Sequence, residues 1–128
     1  MIATAGTVDF SYVRTLGADS VVDYKKERFE DSVTEVDVVV DTVGGDTQLR
    51  SLRVLKPGGI LVSAVSPVPE AAQERYGVRA AYCYVDVTTA RLNKITELLD
   101  SGKLVTDVGT VLPLEEARVA HEMLGGPA

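Results

Sequence analysis

Val36-Asp37-Val38-Val39-Val40-Asp41-Thr42-Val43-Gly44-Gly45 and, further along, Leu55-Lys56-Pro57-Gly58-Gly59-Ile60-Leu61-Val62 decide the fold of this chain. Each stretch joins a short apolar run to turn residues, and Leu49, Leu52 and Leu55 between them fall at three-residue, helical spacing. The runs are too continuous for a sheet with one wet face. They read as strands buried on both faces, joined by a helix, which is the pattern of a parallel sheet. Ligands bind beyond the carboxyl ends of such strands, so Thr42–Gly45 and Ala64–Pro67 are the segments where function is expected. No Gly-x-Gly-x-x-Gly loop occurs anywhere in the chain.

The rest of the sequence extends the alternation. Met1–Ala5 reads as a strand, and Phe10, Val13 and Leu16 line one face of a helix closed by Gly17. Ser20–Tyr24 alternates as a strand, and Lys25–Ser32 is a short charged helix or loop packed through Phe29. Strand Val36–Asp41 and helix Asp46–Leu55 lead into the turn Lys56-Pro57-Gly58-Gly59, where proline presets one position and glycine accepts positive φ at the next. Strand Ile60–Val65, a short helix over Glu70–Tyr76 and strand Val78–Val85 follow. A helix capped by Thr88 or Thr89 turns Leu92, Ile95 and Leu99 inward and ends at Gly102. Val108–Leu112 is a strand candidate, and Pro113 opens a last helix, Leu114–Leu124, with Glu115 and Glu116 in its first turn. The predicted class is α/β, a doubly wound parallel sheet with right-handed crossovers.

A length of 128 residues suits one domain of ordinary size. The hydrophobic fraction of 45% and charged fraction of 25% match a soluble globular protein. A net charge of −6 argues against nucleic acid or an anionic membrane as partner. The single cysteine, Cys83, excludes an internal disulfide and suits a reducing compartment. Within Ala80–Val85 it reads as a buried small apolar residue. No run approaches the ~20 apolar residues of a membrane span, and Met1-Ile2-Ala3-Thr4 carries no charged leader, so the cytoplasm is the expected location.

Ile2-Ala3-Thr4-Ala5, Leu16–Tyr24, Val36–Gly45, Leu55–Val65 and Pro113-Leu114-Glu115-Glu116-Ala117 with Ala120-His121 together resemble the medium-chain dehydrogenase/reductase superfamily. The likeness is to its zinc-independent, quinone-oxidoreductase-like branch, often labelled zinc-binding dehydrogenase. It covers nearly the whole chain in the family's order. The resemblance implies an incomplete Rossmann-like fold that starts at the second strand, without the first strand, its glycine-rich loop or the N-terminal catalytic domain. Residues 1–104 would form the partial nucleotide-binding domain, and 105–128 a strand and helix returning toward the catalytic domain. In the strand order 3-2-1-4-5-6, strand 1 lies between Met1–Ala5 and Val36–Asp41. Its absence leaves three expectations: a part of a larger protein, which ranks first, re-pairing of the two flanking strands, or a partner segment in the gap.

The resemblance also places a cofactor, NADP or NAD. Gly6, Thr7, Val8 and Asp9 match the turn facing the adenosine ribose and its 2′-phosphate, with Tyr24 matching the tyrosine of an Asp-Tyr-Lys motif near that phosphate. The family's usual serine and basic residue are replaced by Gly6, Val8 and Asp9, which weakens the anion site; Asp9 is placed either to meet a ribose hydroxyl or, the favoured reading, to cap the following helix. Val43 and Gly44 match the loop passing the nicotinamide-side ribose, and Ala64, Val65 and Ser66 the segment bordering the nicotinamide. The implied reaction is hydride transfer to a quinone or enone. No catalytic residue is assigned within the chain, and the isolated chain is expected to be inactive. The implied assembly is a homodimer through the edge strand 78–85. The alternative function is a non-catalytic remnant that dimerises or binds a partner.

Other chemistry finds little support. One histidine, His121, and one cysteine far apart do not make a zinc site. Ser63 and Ser66 lack the Gly-x-Ser-x-Gly elbow of a hydrolase. A receiver-type phosphoacceptor site would need an acidic cluster at one sheet end. Asp41, at the end of its strand, is expected to hold loop structure rather than a ligand.

Overall fold

The computed structural model describes residues 1–125, and the tail 126–128 of the predicted returning segment lies outside them. The chain divides into two compact units, Met1–Val85 and Asp86–Ala128. The first holds every strand found among the described residues. β1 (Ile2–Ala5) pairs in parallel with β2 (Ser20–Asp23), Ile2 opposite Ser20 and Ala5 opposite Asp23. β3 (Val36–Asp41), β4 (Leu55–Ser63) and β5 (Arg79–Tyr82) form a separate parallel sheet in the order β3-β4-β5. This is an incomplete Rossmann-like arrangement, as the sequence predicts.

The two sheets share no ladder, so the re-pairing of Met1–Ala5 with Val36–Asp41 does not occur. A slot of about 750 Å³ lies between them, lined by Met1–Thr4 on one side and Val36–Val43 on the other. Side chains hold the sheets in place instead. Val22 of β2 packs with Phe29, Val33 and Val54, and Val36 and Val39 of β3 pack against that cluster. Phe29 comes from α2 (Phe29–Ser32), the only helical part of the charged stretch predicted over Lys25–Ser32.

The second cluster joins Leu52, Leu55, Leu61, Val68 and Val78, and Ala72 and Tyr76 of α4 (Glu70–Tyr76) pack against it. Leu61, in the central strand, is 0% exposed. Helix α3 (Gly45–Ser51) is shorter than the predicted Asp46–Leu55. Turn bonds from Arg53 N to Arg50 O and Val54 N to Ser51 O end it, which delivers Leu52, Val54 and Leu55 to the core. The predicted turn at Lys56–Gly59 exists, but inside a strand. Val36 lies opposite Leu55 and Val38 opposite Ile60, so the turn bulges out of β4 while pairing continues on both sides. Gly58 takes φ +77°, and a Cβ on Gly59 would lie 2.9 Å from the Lys56 carbonyl oxygen.

Several expectations fail on burial. Leu16 follows the end of α1 (Phe10–Thr15) and is exposed. Cys83 is exposed: it directly follows the edge strand β5, and although its amide still donates to the Ser63 carbonyl oxygen at 2.8 Å, no further strand lies beside it among the described residues. In the second unit, Thr88 caps α5 (Thr89–Asp100) by accepting a bond from Arg91 N at 3.3 Å, as predicted. Leu92, Ile95 and Leu99 on that helix are nevertheless exposed. Helical spacing records that a face is apolar and not what covers it. Val108–Leu112 forms no strand, since a strand needs a ladder partner and this stretch has none among the described residues. Pro113 leads into a 3-10 turn, Leu114–Glu116, and then α6 (Ala117–Gly125). No helix among the described residues is long and apolar enough to cross a membrane.

Candidate functional site

The carboxyl ends of β3 and β4 are tied together by one buried polar network. Asp41, the last residue of β3, is 4% exposed. Its Oδ1 accepts from the backbone amides of Val43 at 3.0 Å and Gly44 at 2.9 Å. Its Oδ2 accepts from Gln48 Nε2 at 3.0 Å and Ser63 Oγ at 2.8 Å. Ser63, the last residue of β4, in turn accepts from Val65 N at 3.1 Å and Ser66 N at 3.2 Å. Gln48 Nε2 also reaches the Ser66 carbonyl oxygen at 2.9 Å. Thus one carboxylate, one hydroxyl and one amide set the shape of both loops in which function was sought.

Burial by itself raises the pKa of Asp41, but the Gly44 amide, the Ser63 hydroxyl, the Val43 amide and Gln48 outweigh it and hold the carboxyl below its ordinary value. An ionised carboxylate offers about four acceptor directions, and these four bonds occupy them. Asp41 therefore has no lone pair to spare as a general base. It is a positioning residue, as the sequence reading expects.

Gly44 is where the two loops meet. Its φ is +77°, and a Cβ built on it would lie 2.7 Å from Cγ1 of Val65. Only glycine serves there. Val43, Gly44, Ala64, Val65 and Ser66 are thereby brought to one place, with the Val43 and Val65 side chains exposed. Thr42 and Val43 also line the slot between the sheets.

Gly6, Thr7 and Tyr24 gather at the carboxyl end of the other sheet. Asp23 ends β2, and the Thr7 hydroxyl donates to its Oδ2. Lys25 N donates to Oδ1 at 3.0 Å, and Lys26 Nζ lies 3.5 Å from Oδ2. The Thr7 bond is the main reason the Asp23 carboxyl is held below its ordinary value; burial opposes it, while the Lys25 amide and Lys26 assist. Tyr24 is exposed, with Lys25 Nζ 5.8 Å from its ring centre. The same ammonium would lie 3.7 Å from a Cβ on Gly6. The Asp9 carboxylate is nearer still, at 3.5 Å, so a cation and an anion both border the turn. Asp9 occupies the position before α1, but its side chain makes no capping bond, because its φ of −95° and ψ of −3° are already helical. The helix-cap reading of Asp9 is thus corrected.

Gln48 and Lys25 were not singled out in the sequence. Gln48 had no signal beyond a polar residue on a helix that packs against the sheet. Lys25 had one, its place directly after Tyr24. His121 is exposed on α6. Among the described residues no three histidine, cysteine or acidic side chains cluster as metal ligands.

Comparison with known proteins shows what the chain is similar to. The NADPH-dependent alkenal/one oxidoreductase, chloroplastic, of Arabidopsis thaliana is 34% identical over 119 residues, which cover 92% of this chain and 28% of that protein. The quinone oxidoreductase of Coxiella burnetii superposes with a TM-score of 0.85 at 30% identity, over 97% of this chain and 40% of its own. The Escherichia coli quinone oxidoreductase, solved in complex with NADPH, superposes with a TM-score of 0.78 at 29% identity, over 96% of this chain and 45% of its own. The chain thus spans less than half the length of these relatives. The zinc-binding dehydrogenase family matches residues 16–126. With that match, and with its parallel strands and paired strand-end loops, the chain belongs to the zinc-binding dehydrogenase family.

Proposed function

We propose that this chain is the cofactor-domain portion of an NAD(P)H-dependent oxidoreductase that reduces a small quinone or enone. Residues 1–104 form the nucleotide-binding portion in this reading, and 105–128 the returning segment. The observation that carries it is the contact of Gly44 with Val65, held by Asp41, Gln48 and Ser63 at the ends of two parallel strands. Such a site binds and orients; it offers no poised nucleophile or base. The related Escherichia coli quinone oxidoreductase, solved in complex with NADPH, supports the reading.

The residues present fit the two ends of a dinucleotide. At β1, the space over Gly6 is bordered by Lys25 Nζ, and Thr7 and Tyr24 stand beside it. Asp9 Oδ2 borders the same space, 3.5 Å from a Cβ on Gly6, so the place suits a ribose, with Lys25 the one cation beside it that a 2′-phosphate could use. At β3 and β4, Val43, Gly44 and Ala64–Ser66 present backbone and small apolar side chains, which suits the nicotinamide ribose and ring. A bound nicotinamide supplies the hydride; this chain supplies its position. The pyrophosphate lacks the glycine-rich loop that would anchor it, and substrate contacts lie outside these residues. The isolated chain therefore binds cofactor weakly and does not turn over.

β5 is an edge strand, and Tyr82 at its end and Tyr84 just beyond it are exposed with their rings 6.4 Å apart and edge-on. An apolar edge with so little charge is a pairing surface, and a homodimer through 78–85 satisfies it. The same edge supports the alternative reading, a dimerising module without catalysis. A free, exposed Cys83 suits a reducing compartment such as the cytoplasm. Calorimetric titration with NADPH and with NADH tests the main reading. Saturable binding is expected; no heat from either up to millimolar concentration leaves the dimerising module.

A further inference from the structure

The turn after β1 carries two opposite charges that the fold does not use. The Asp9 side chain is exposed and makes no capping bond. Among the described residues neither its carboxylate nor the exposed Lys25 ammonium belongs to an ion pair. Both nevertheless border one point. A Cβ on Gly6 would lie 3.5 Å from Asp9 Oδ2 and 3.7 Å from Lys25 Nζ. Gly6 has a φ of −75° and a ψ of 153°, extended backbone open to any residue, so conformation does not require glycine here. What its missing side chain provides is room for a ligand beside the backbone, with an anion and a cation at the rim. The other carboxylate at this strand end is already engaged. Asp23 accepts from the Thr7 hydroxyl and the Lys25 amide and pairs with Lys26. Asp9 is the carboxylate left with both oxygens free.

We propose, resting on the dinucleotide reading above, that Asp9 is a specificity-determining residue: it accepts from the 2′- and 3′-hydroxyls of an unphosphorylated adenosine ribose, admits NADH, and opposes the advantage that Lys25 gives to NADPH. An ionised carboxylate can only accept hydrogen bonds. A vicinal diol offers it two donors, one for each oxygen. A 2′-phosphate removes one of those donors and brings a charge of about −1.5 to −2 at neutral pH. NADH therefore gains at Asp9, whereas NADPH gains at Lys25 and is opposed at Asp9. Both charged groups are exposed, and an exposed charge pair in water changes binding by only a few-fold, so the chain binds the two cofactors within about tenfold of each other.

The test is titration of the whole chain with NADH and with NADPH, read from the amide shifts of Gly6, Thr7 and Lys25, for wild type, Asp9→Ala and Asp9→Asn. In Asp9→Ala the Kd for NADH should rise roughly tenfold and that for NADPH fall roughly fivefold, which moves their ratio about fiftyfold. Asp9→Asn removes the charge but keeps one acceptor, so it should match the gain for NADPH and show a smaller loss for NADH. Added salt should shrink the gain for NADPH, which is the charge effect. The thermal midpoint should stay that of wild type, because no side-chain bond of Asp9 is lost. Two results overturn the proposal and leave the dinucleotide reading standing. One is that both Kd values move in the same direction, which makes Asp9 a structural part of the turn. The other is a ratio within about twofold of wild type in both variants, well inside the few-fold effect of an exposed charge. Wild type that binds neither cofactor up to millimolar concentration overturns the reading and the proposal together.

Discussion

Replacing Asp41 with asparagine isolates the network that shapes both strand-end loops. The side chain keeps its size, but one oxygen becomes an NH2 group. If the remaining oxygen keeps the Val43 and Gly44 amides, the new donor faces Gln48 Nε2 and Ser63 Oγ, whose bonds to Asp41 are 3.0 and 2.8 Å. Ser63 Oγ already accepts from Gln48, Val65 and Ser66, so it has little capacity for another donor. Hydrogen bonds to a charged group contribute about 1.5–3 kcal/mol and neutral ones about 0.5–1.5, while a stranded buried donor costs about 1–3. The two lost bonds alone, at the low end of the range for a charged group, already amount to about 3 kcal/mol. For a cooperative unit the size of Met1–Val85 this lowers Tm by roughly 15 °C. Urea and thermal unfolding followed by circular dichroism measure both. A pH series adds a second requirement. The Asp41 carboxyl is held below its ordinary value in the fold. Its stabilisation is therefore complete above the unfolded carboxyl pKa of about 3.9 and is lost as pH falls through the lower folded value. The gap between wild type and Asp41→Asn should be constant near neutrality and close in acid. A variant within 0.5 kcal/mol of wild type at pH 7, about the noise of a surface substitution, refutes the reasoning, as does a gap that survives strong acid.

Gly44→Ala should destabilise by about 1–3 kcal/mol, from its positive φ and the overlap with Val65; denaturation of Gly44→Ala with Val65→Ala should recover the overlap part only. Lys25→Ala should raise the Kd for NADPH about tenfold and leave that for NADH within about twofold, roughly a 1.4 kcal/mol difference; equal effects on both would remove Lys25 from the phosphate site. Tyr82→Lys should shift the chain from dimer to monomer in sedimentation, and an unchanged dimer places the contact elsewhere than β5.

The strands were legible because their signal is local. Val36–Asp41 carries β-branched valine at four of its six positions, and its bounds survive unchanged in the structure. The gap beside it was legible too, since a doubly wound sheet cannot lack its central strand unnoticed. What the sequence did not show depends on partners distant along the chain. Leu92, Ile95 and Leu99 carry a helical stripe, yet exposure depends on what faces them. Val108–Leu112 has strand composition and no partner. The Lys56–Gly59 turn was read as a strand boundary because pairing through a bulge leaves no local mark. At the site, Asp41 was found by its position at a strand end. Gln48 was not, because its role comes from β4 and the Ser66 loop, which reach it only in the fold.

Site-resolved NMR of the isotope-labelled chain during titration with NADPH tests the central claim most directly, because it detects millimolar binding and says where it occurs. The account predicts saturable shifts at two separate sets of amides, Gly6, Thr7 and Lys25 at the end of β1, and Val43, Gly44, Val65 and Ser66 at the ends of β3 and β4. Shifts confined to other surfaces, or none at millimolar NADPH, would contradict it.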